Sequence, residues 1–384
     1  MNAILQEKSV KQRYAAAART PEAALCCPVN YDAKYLEILP QEVIEKDYGC
    51  GNPSQYLRAG ETVLDLGSGT GKVCFIAAQI VGSEGKVIGI DMTEEMLAVA
   101  RRNAPIVAER LGYSNVEFRK GRIQDLALNL ELLDEALKKR PITDAASFLA
   151  ADDLAAELRA RQPLVAGGSI DVVISNCVLN LVETNSKQQL FREIFRVLRK
   201  GGRAVISDIV SDEEVPEEMQ NDPVLWSGCV SGAFTEEAFL AAFAEAGFFG
   251  MQILRRDDQP WRTVEGIEFR SVTVQAFKGK QGPCYERDQA VIYLGPFKEV
   301  LDDDNHRIER GRRYAVCDKT YQLYRNEPYK QHFAFVDPIQ AISPQAARPF
   351  ECSGMRIRHP KESKGQQNRL TTAPSQCCDG GRCP

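Results

Sequence analysis

Short apolar runs of strand length alternate with longer amphipathic runs along the middle of the chain. The apolar runs are ETVLDL at Glu61–Leu66, KVIGID ending at Asp91, NVEFRKG, IDVVIS and RAVISDIV. Strands that alternate with helices of 10–15 residues predict βαβ units and a parallel sheet. IDVVIS is apolar throughout, which is typical of a strand covered on both faces.

The pattern changes at both ends of this region and once inside it. Leucines at helical spacing predict a two-helix insertion at about 126–169, and the period of two in FRSVTVQAF predicts an antiparallel strand. We therefore divide the chain into an N-terminal helical segment (1–60), an α/β domain (61–280), a small strand-rich domain (281–360) and a disordered tail (361–384).

Composition narrows the class of protein. The 384 residues are 44% hydrophobic and 26% charged, which is typical of a globular protein of two to three domains. The net charge of −5 comes without a basic block, so we expect no nucleic-acid partner. No run approaches 18 apolar residues and the N-terminus lacks a signal-peptide core, so we expect no membrane partner and a cytoplasmic location.

Cysteine is the unusual residue, with 12 copies against 3 histidines. In a chain with reduced thiols this number indicates thiol or metal chemistry and not a disulfide framework. The cysteines are spread along the chain without the paired spacing of a zinc finger or zinc ribbon. Cys74 is predicted to pack in a helix, and Cys317 and Cys352 are also expected to be structural.

The glycine-rich turn Asp65–Gly71 (DLGSGTG) follows the first strand and precedes a helix. A phosphate-binding P-loop is excluded, because Leu66 stands at its first glycine and Val73 at its hydroxyl position. The dinucleotide fingerprint also fails, because Lys72 stands at its third glycine. The turn instead resembles the first motif of S-adenosylmethionine-dependent methyltransferases, and Asp91, 20 residues beyond Gly71, can accept both hydroxyls of a ribose.

Three cysteines are placed to meet at the carboxyl edge of the predicted sheet. Cys177 directly follows the fourth strand, Cys50 lies shortly before the first, and Cys229 follows the fifth among small residues. Ligands of open α/β sheets bind at that edge, so the three thiols could converge there. The alternative for each is packing in the core as a small hydrophobic residue.

At this point the motifs YGCG (Tyr48–Gly51), SNCV (Ser175–Val178) and Leu225-Trp226 leading to Cys229 closely resemble the arsenite S-adenosylmethionine methyltransferase family. The resemblance implies a doubly wound, seven-stranded, Rossmann-like methyltransferase sheet. It also implies that Cys50, Cys177 and Cys229 hold arsenic(III) as thiolates, for arsenic detoxification.

Trivalent arsenic is thiophilic and keeps a lone pair. If that lone pair is aligned with a sulfonium methyl group, methyl transfer is a displacement that depends on proximity and alignment. No general base is required, because arsenic carries no proton to remove. The family further implies that an upstream cysteine, Cys26 or Cys27, exchanges with Cys50 or forms a disulfide with it. Glutathione or thioredoxin is then the reductant. The other implied partners are arsenite and methylated trivalent arsenicals, and we expect a monomer.

The resemblance also assigns the cofactor site. Tyr48 and the glycine loop are implied to contact the methionine part, Asp91 the ribose, Met92 and Ile123 the adenine, and Asn176 the sulfonium end. Gln124 stands where many members have an acidic residue, and the insertion is absent from animal members. The residues implied to bind the cofactor are Tyr48, Asp65, Gly67, Ser68, Gly69, Gly71, Asp91, Met92, Ile123, Gln124 and Asn176.

Two other functions remain open from the sequence. One is a methyltransferase for a small organic acceptor such as a quinone or sterol, with packed cysteines. Such an acceptor normally requires a base, and the sequence shows none near the predicted crevice. The other is a non-catalytic thiol protein that senses or sequesters metalloids, against which the intact cofactor loop argues.

Overall fold

The computed structural model describes residues 3–22, 25, 29–46, 48–352, 354 and 356–365. The chain divides into two compact units, the first ending at Gly279 and the second beginning at Lys280. Cys26, Cys27 and residues 366–384 of the predicted tail lie outside the described residues, whereas Ser363, at the start of that predicted tail (361–384), is buried and therefore ordered, contrary to the prediction.

The first unit is built on one mixed sheet. Its main path has the order β3-β2-β1-β4-β5-β9-β7, with the short strands β6 and β8 pairing at its side. Neighbours from β3 to β5 are parallel, whereas β9 is antiparallel to β5 and β7. The predicted seven-stranded α/β sheet is thus confirmed. The strands are β1 (Thr62–Leu66), β2 (Lys86–Asp91), β3 (Val116–Lys120), β4 (Ile170–Asn176), β5 (Leu198–Ser211), β6 (Phe234–Thr235), β7 (Phe249–Arg256), β8 (Arg262–Val264) and β9 (Ile267–Phe277).

Helices cover both faces of this sheet. One apolar core includes residues of α4 and α5 packed on strand residues such as Val63, and the other includes residues of α8 and α11 packed on residues such as Leu64. Successive side chains of β1 therefore enter opposite cores, as the period of two requires. The helices are α1 (Ala3–Ala17), α2 (Ala33–Leu36), α3 (Gln41–Glu45), α4 (Lys72–Val81), α5 (Glu94–Leu111), α6 (Leu130–Lys139), α7 (Ala145–Arg161), α8 (Thr184–Val197), α9 (Glu217–Gln220), α10 (Pro223–Ser227) and α11 (Glu236–Glu245).

The join between α8 and β5 differs from the sequence pattern. The run KQQLFREIFRVLRK predicts a helix up to Gly201-Gly202, but α8 ends at Val197 and β5 begins at Leu198. Leu198 pairs with Ile170 at the start of β4, so strand pairing outweighs helix propensity there. Gly201 has a φ of 81°, which accommodates the irregular register that follows.

The segment 126–169 holds two helices, α6 and α7. Asn129 caps α6, and Asp144 with Ser147 forms a capping box at the start of α7. Ala155 and Leu158 of α7 are buried.

The second unit is a set of small antiparallel sheets. A four-stranded sheet has the order β15-β11-β14-β17, and its core contains Tyr321, Tyr324 and Phe333. Arg358 is buried and pairs with Glu286. The elements are β10 (Tyr285–Glu286), β11 (Ala290–Tyr293), β12 (Glu299–Leu301), β13 (Arg307–Glu309), β14 (Arg313–Ala315), α12 (Asp318–Tyr324), β15 (Phe333–Val336), β16 (Arg348–Pro349) and β17 (Arg356–Ile357). None of the helices among the described residues has the length and apolar character needed to cross a bilayer.

Candidate active site

A cavity of about 670 Å³ opens at the carboxyl ends of β1, β2 and β4. All of the residues predicted to bind the cofactor line this cavity except Gly71, which is the N-cap of α4. The insertion contributes as well, because Arg159 of α7 lines the cavity and pairs with Asp125.

The glycine loop fits closely between its neighbours. Gly67 and Gly71 have φ values of 72° and 90°, a left-handed conformation that favours glycine. A Cβ on Gly67 would lie 2.4 Å from Val178, and one on Gly71 would lie 2.7 Å from Phe118. The hydroxyl of Ser68 is buried and has no hydrogen-bond partner among the described residues. The Ser68 hydroxyl, which lacks a partner within the described part of the chain, and the glycine backbone, which carries no side chains, fit a polar cofactor such as S-adenosylmethionine at the cavity wall.

Asp91 ends β2 and anchors the loop. One carboxylate oxygen accepts a hydrogen bond from Gly69 N at 2.9 Å, and the other accepts one from Thr93 N at 2.8 Å. Burial raises the pKa of Asp91, although these backbone donors partly offset the effect. Each carboxylate oxygen has a second lone pair, so the group retains capacity for two ribose hydroxyls.

The resemblance implies that Asn176 lies at the sulfonium end of the cofactor. Asn176 lines the cavity, but its side-chain amide forms hydrogen bonds to the backbone around Cys50. Its Oδ1 accepts hydrogen bonds from Cys50 N (2.9 Å) and Gly51 N (3.0 Å), and its Nδ2 donates to Gly51 O (2.8 Å). Tyr48 is engaged in a similar way, because its hydroxyl donates to Ala17 O at 3.0 Å. The amide of Asn176 and the hydroxyl of Tyr48 therefore position the N-terminal segment beside the cavity.

The structure brings the three predicted arsenic ligands together. Cys50 and Cys177 form a disulfide with a Cα–Cα distance of 5.7 Å, and the Cys229 thiol donates to Cys177 O at 3.0 Å. All three side chains are buried, at 5%, 4% and 5% exposure, in one apolar cluster. The resemblance implies pairing of Cys50 with Cys26 or Cys27, whereas the structure pairs Cys50 with Cys177. Cys177 also lines the cavity, so the thiol cluster and the cofactor cavity share a wall.

The backbone at two of these cysteines is strained. Cys177 and Cys229 have φ values of 61° and 60°, in the left-handed region that non-glycine residues seldom adopt. Such conformations cost about 1–3 kcal/mol each and persist where the surrounding contacts enforce them. Asn180 supplies one such contact, because its Nδ2 donates to Ile209 O at 2.6 Å and to Cys229 O at 3.4 Å.

Helix α1 closes the site from the N-terminal side. Arg13 Nη1 donates to Val224 O at 2.9 Å and to Ser227 Oγ at 3.0 Å, which ties α1 to α10 just before Cys229. Tyr14 places its hydroxyl 4.0 Å from Cys229 Sγ. The thiol cluster is thereby shielded from solvent by a segment that is distant in sequence.

Sequence reasoning missed the charged groups beside the sulfurs. A carboxylate oxygen of Asp208 lies within 4.8 Å of both Cys50 Sγ and Cys177 Sγ, and the residue is 1% exposed. Burial raises the pKa of Asp208 to about 6, against hydrogen bonds from the backbone of Ile209 and Leu179. Lys187 is also buried, and desolvation lowers its pKa to about 8. The sequence shows no base near the predicted crevice, and it does not indicate that the Asp208 carboxyl group lies beside two of the predicted arsenic ligands. The one available signal was an aspartate inside the apolar run RAVISDIV.

Comparison with known proteins decides the family. The chain is 34% identical over 375 residues to the arsenite methyltransferase of Aquipseudomonas alcaligenes, covering 93% of this chain and 94% of that protein. The chain belongs to the arsenite methyltransferase family. It is 29% identical to the arsenite methyltransferase of Mus musculus, covering 92% of this chain and 88% of the relative. The resemblance and the assignment as an S-adenosylmethionine-dependent methyltransferase are thus confirmed.

The fold comparison agrees with this assignment. The crystal structure of CrArsM, an arsenic(III) S-adenosylmethionine methyltransferase from Chlamydomonas reinhardtii, aligns with a TM-score of 0.53 and 27% identity. The alignment covers 86% of this chain and 100% of that chain. A methyltransferase domain model matches residues 57–247, and a domain of unknown function matches residues 280–368.

Proposed function

We propose that this family member transfers a methyl group from S-adenosylmethionine to trivalent arsenic held by the thiolates of Cys50, Cys177 and Cys229. The observation that carries the proposal is that these three cysteines are buried in one cluster, of which Cys177 also lines the cofactor cavity. They come from three separate parts of the chain, and two of them sit on strained backbone.

Arsenite enters this site by exchanging oxygen for sulfur. Three thiols replace the three hydroxyls of arsenous acid and release three molecules of water, with no change of oxidation state. The ligated arsenic keeps a lone pair opposite the three sulfurs. When bound, S-adenosylmethionine supplies a methyl group activated on a sulfonium sulfur.

The chain then orients two reactants. Asp91 and the glycine loop would hold the ribose and methionine parts, and Cys177, which belongs to the thiol cluster and also lines the cavity, would direct the arsenic lone pair toward the methyl carbon. The As–C bond would form as the C–S bond of the sulfonium breaks, so that arsenic is formally oxidised by two electrons and S-adenosylhomocysteine leaves as a thioether. Alignment of this kind contributes to a displacement by fixing distance and angle in advance. The apolar surroundings of the thiols exclude water from the reacting centre.

The Cys50–Cys177 disulfide must open before arsenic binds. Its reduction takes two electrons and two protons and yields two thiols, so a thiol reductant such as glutathione or thioredoxin is required. We place the thiol–disulfide exchange between Cys50 and Cys26 or Cys27 in the same step, the reduction of the disulfide.

The test is an assay with methyl-labelled cofactor and a thiol reductant, offering arsenite, a quinone and a sterol in parallel, with speciation of the arsenic products. We expect methylation of arsenite, and we expect Cys177→Ser and Cys229→Ser each to abolish it while cofactor affinity is nearly unchanged. Methylation of only the organic acceptors would establish the alternative function.

A matched control separates loss of a ligand from loss of any buried thiol. Cys74 is buried in α4, and its thiol donates to Asp65 at 3.1 Å. Cys74→Ser keeps a donor at that position, so we expect activity close to that of the parent. Normal arsenite methylation by Cys177→Ser or Cys229→Ser would remove that residue from the ligand set.

A further inference from the structure

Three further cysteines meet in the second unit, apart from the site already described. The sulfur atoms of Cys284, Cys317 and Cys352 all lie within 4.8 Å of one another, and all three carry reduced thiols. The sequence analysis expected Cys317 and Cys352 to be structural. Cys317 is buried, but Cys352 is exposed at the surface of the unit, so that expectation was wrong for Cys352.

The local fold holds these residues together. β10 pairs with β16, and Phe350 N donates to Cys284 O at 2.9 Å, which brings Cys352 beside Cys284. Cys317 is fixed from the other side, because Thr320 N and Thr320 Oγ1 contact its sulfur at 3.4 Å and 3.3 Å. Backbone pairing therefore sets Cys352 beside Cys284, and the contacts with Thr320 fix the side chain of Cys317.

The electrostatic surroundings favour ionisation of one member. Burial raises the pKa of Cys284, but hydrogen bonds from the Cys352 and Cys317 thiols and the charge of Lys319 outweigh it, so the net pKa is lowered. Thiolate is the form of cysteine that binds soft metal centres.

We propose that Cys284, Cys317 and Cys352 form a second binding site for a trivalent thiophilic metalloid, arsenic(III), in the second unit. Three sulfurs about 2.3 Å from a shared centre in a pyramid are about 3.4–3.8 Å apart, so sulfurs that already lie within 4.8 Å of one another need an adjustment of about 1 Å. The surface position of Cys352 gives a ligand direct access from solvent.

The number of ligands selects the class of ion. Structural zinc is almost always four-coordinate. Among the described residues, no histidine, cysteine or carboxylate joins the three sulfurs within the same 4.8 Å. His306 lines the same small cavity, but its Nδ1 contacts Asp302 at 2.9 Å. Three sulfurs match a trivalent arsenic centre, which binds by releasing three waters and gives a neutral product.

The choice of arsenic as the ligand rests on the proposed function, whereas the proximity of the three sulfurs is independent of it. The experiment therefore measures arsenite binding directly, by counting arsenic retained per fully reduced full-length chain after gel filtration. We expect Cys352→Ser to lose one equivalent of arsenic relative to the parent and to keep the parent's methylation rate. Cys383→Ser, which removes a cysteine from the tail, is the matched control and should lose none.

X-ray absorption on arsenite-loaded Cys177→Ser supplies the second readout, because that change disables the proposed catalytic ligands. Three sulfur neighbours around arsenic in this variant, lost on adding Cys352→Ser, support the second site. Unchanged stoichiometry in Cys352→Ser, or an equal loss in Cys383→Ser, would overturn it. So would one tightly held zinc per chain that arsenite does not displace. Failure of the proposed catalytic site would instead appear as unchanged arsenic content and methylation in Cys177→Ser.

Discussion

Replacement of Asn176 by alanine tests whether this side chain serves the cofactor or the Cys50 segment. In the structure its amide makes three hydrogen bonds to the backbone of Cys50 and Gly51 and one, at 3.2 Å, to the hydroxyl of Tyr31. Asn176→Ala leaves two backbone N–H groups and one carbonyl without these partners. Gly49 packs so closely on the amide that a Cβ there would lie 2.1 Å from Nδ2.

The expected free-energy cost follows from the two backbone N–H groups, of Cys50 and Gly51, that lose their acceptor. A buried N–H that loses its partner costs about 1–3 kcal/mol, and water from the adjacent cavity can recover part of this. We therefore expect the native position of the Cys50 segment to lose about 2–4 kcal/mol. Since about 1.4 kcal/mol is a factor of ten, its population would fall roughly 30- to 1,000-fold relative to displaced states.

Two measurements separate the interpretations. We expect Asn176→Ala to lower the rate of arsenite methylation, with the change in the ratio of native to displaced states (about 30- to 1,000-fold) as the upper limit, while the Kd for S-adenosylmethionine changes less than about threefold. Tyr31→Phe, which removes the hydroxyl that accepts from Asn176 Nδ2, is the control and should cost less than about 1 kcal/mol. A tenfold or greater loss of cofactor affinity with the methylation rate intact would refute this reasoning and restore the sulfonium role.

Three further changes test other parts of the structure. Asp91→Ala should weaken cofactor binding by about 1–3 kcal/mol in a calorimetric titration, and unchanged affinity would reject the ribose role. Gly71→Ala places a Cβ at a φ of 90° and should lower the free energy of unfolding in urea by about 1–3 kcal/mol; a variant as stable as the parent would contradict this. The hydrogen bond to Asp302 raises the pKa of His306, so its stabilisation is present below the unfolded histidine's pKa and lost as pH rises through the folded one. His306→Gln should therefore cost about 1 kcal/mol at pH 5.5 and clearly less at pH 8.5 in urea unfolding, and an equal loss at both values would argue against the pair.

The sheet could be predicted from the sequence because its information is local. The apolar runs of β1, β2 and β4 are bounded by turn residues, and their period distinguishes them from the helices between them. The start of β5 could not be read in this way. Leu198 continues the helical pattern of α8, and only its pairing with Ile170 across the sheet makes it a strand residue.

The site was predictable in part for a similar reason. Cys177 follows β4 directly, so the topology alone places it at the ligand-binding edge. Asp208 carries a weaker signal, because an aspartate inside an apolar run indicates a buried polar group without showing what it contacts. Its neighbours in the structure, Cys50 and Cys177, come from distant parts of the chain. The trio in the second unit was also hidden, since pairing of β10 with β16 joins distant parts of the chain.

Buried charge beside the thiol cluster bears on how the oxidised and reduced forms differ. A disulfide between Cys50 and Cys177 carries no charge, and the buried carboxyl group of Asp208 lies beside both of its sulfurs in this form. Reduction and ionisation would add negative charge near a carboxylate that is already poorly solvated, and like charges in a low-dielectric site oppose this. On the proposed function, ligation of arsenic would remove that opposition, because three thiolates on a trivalent centre are neutral overall. The buried surroundings of the cluster would then favour the disulfide and the arsenic-bound form over free thiolates.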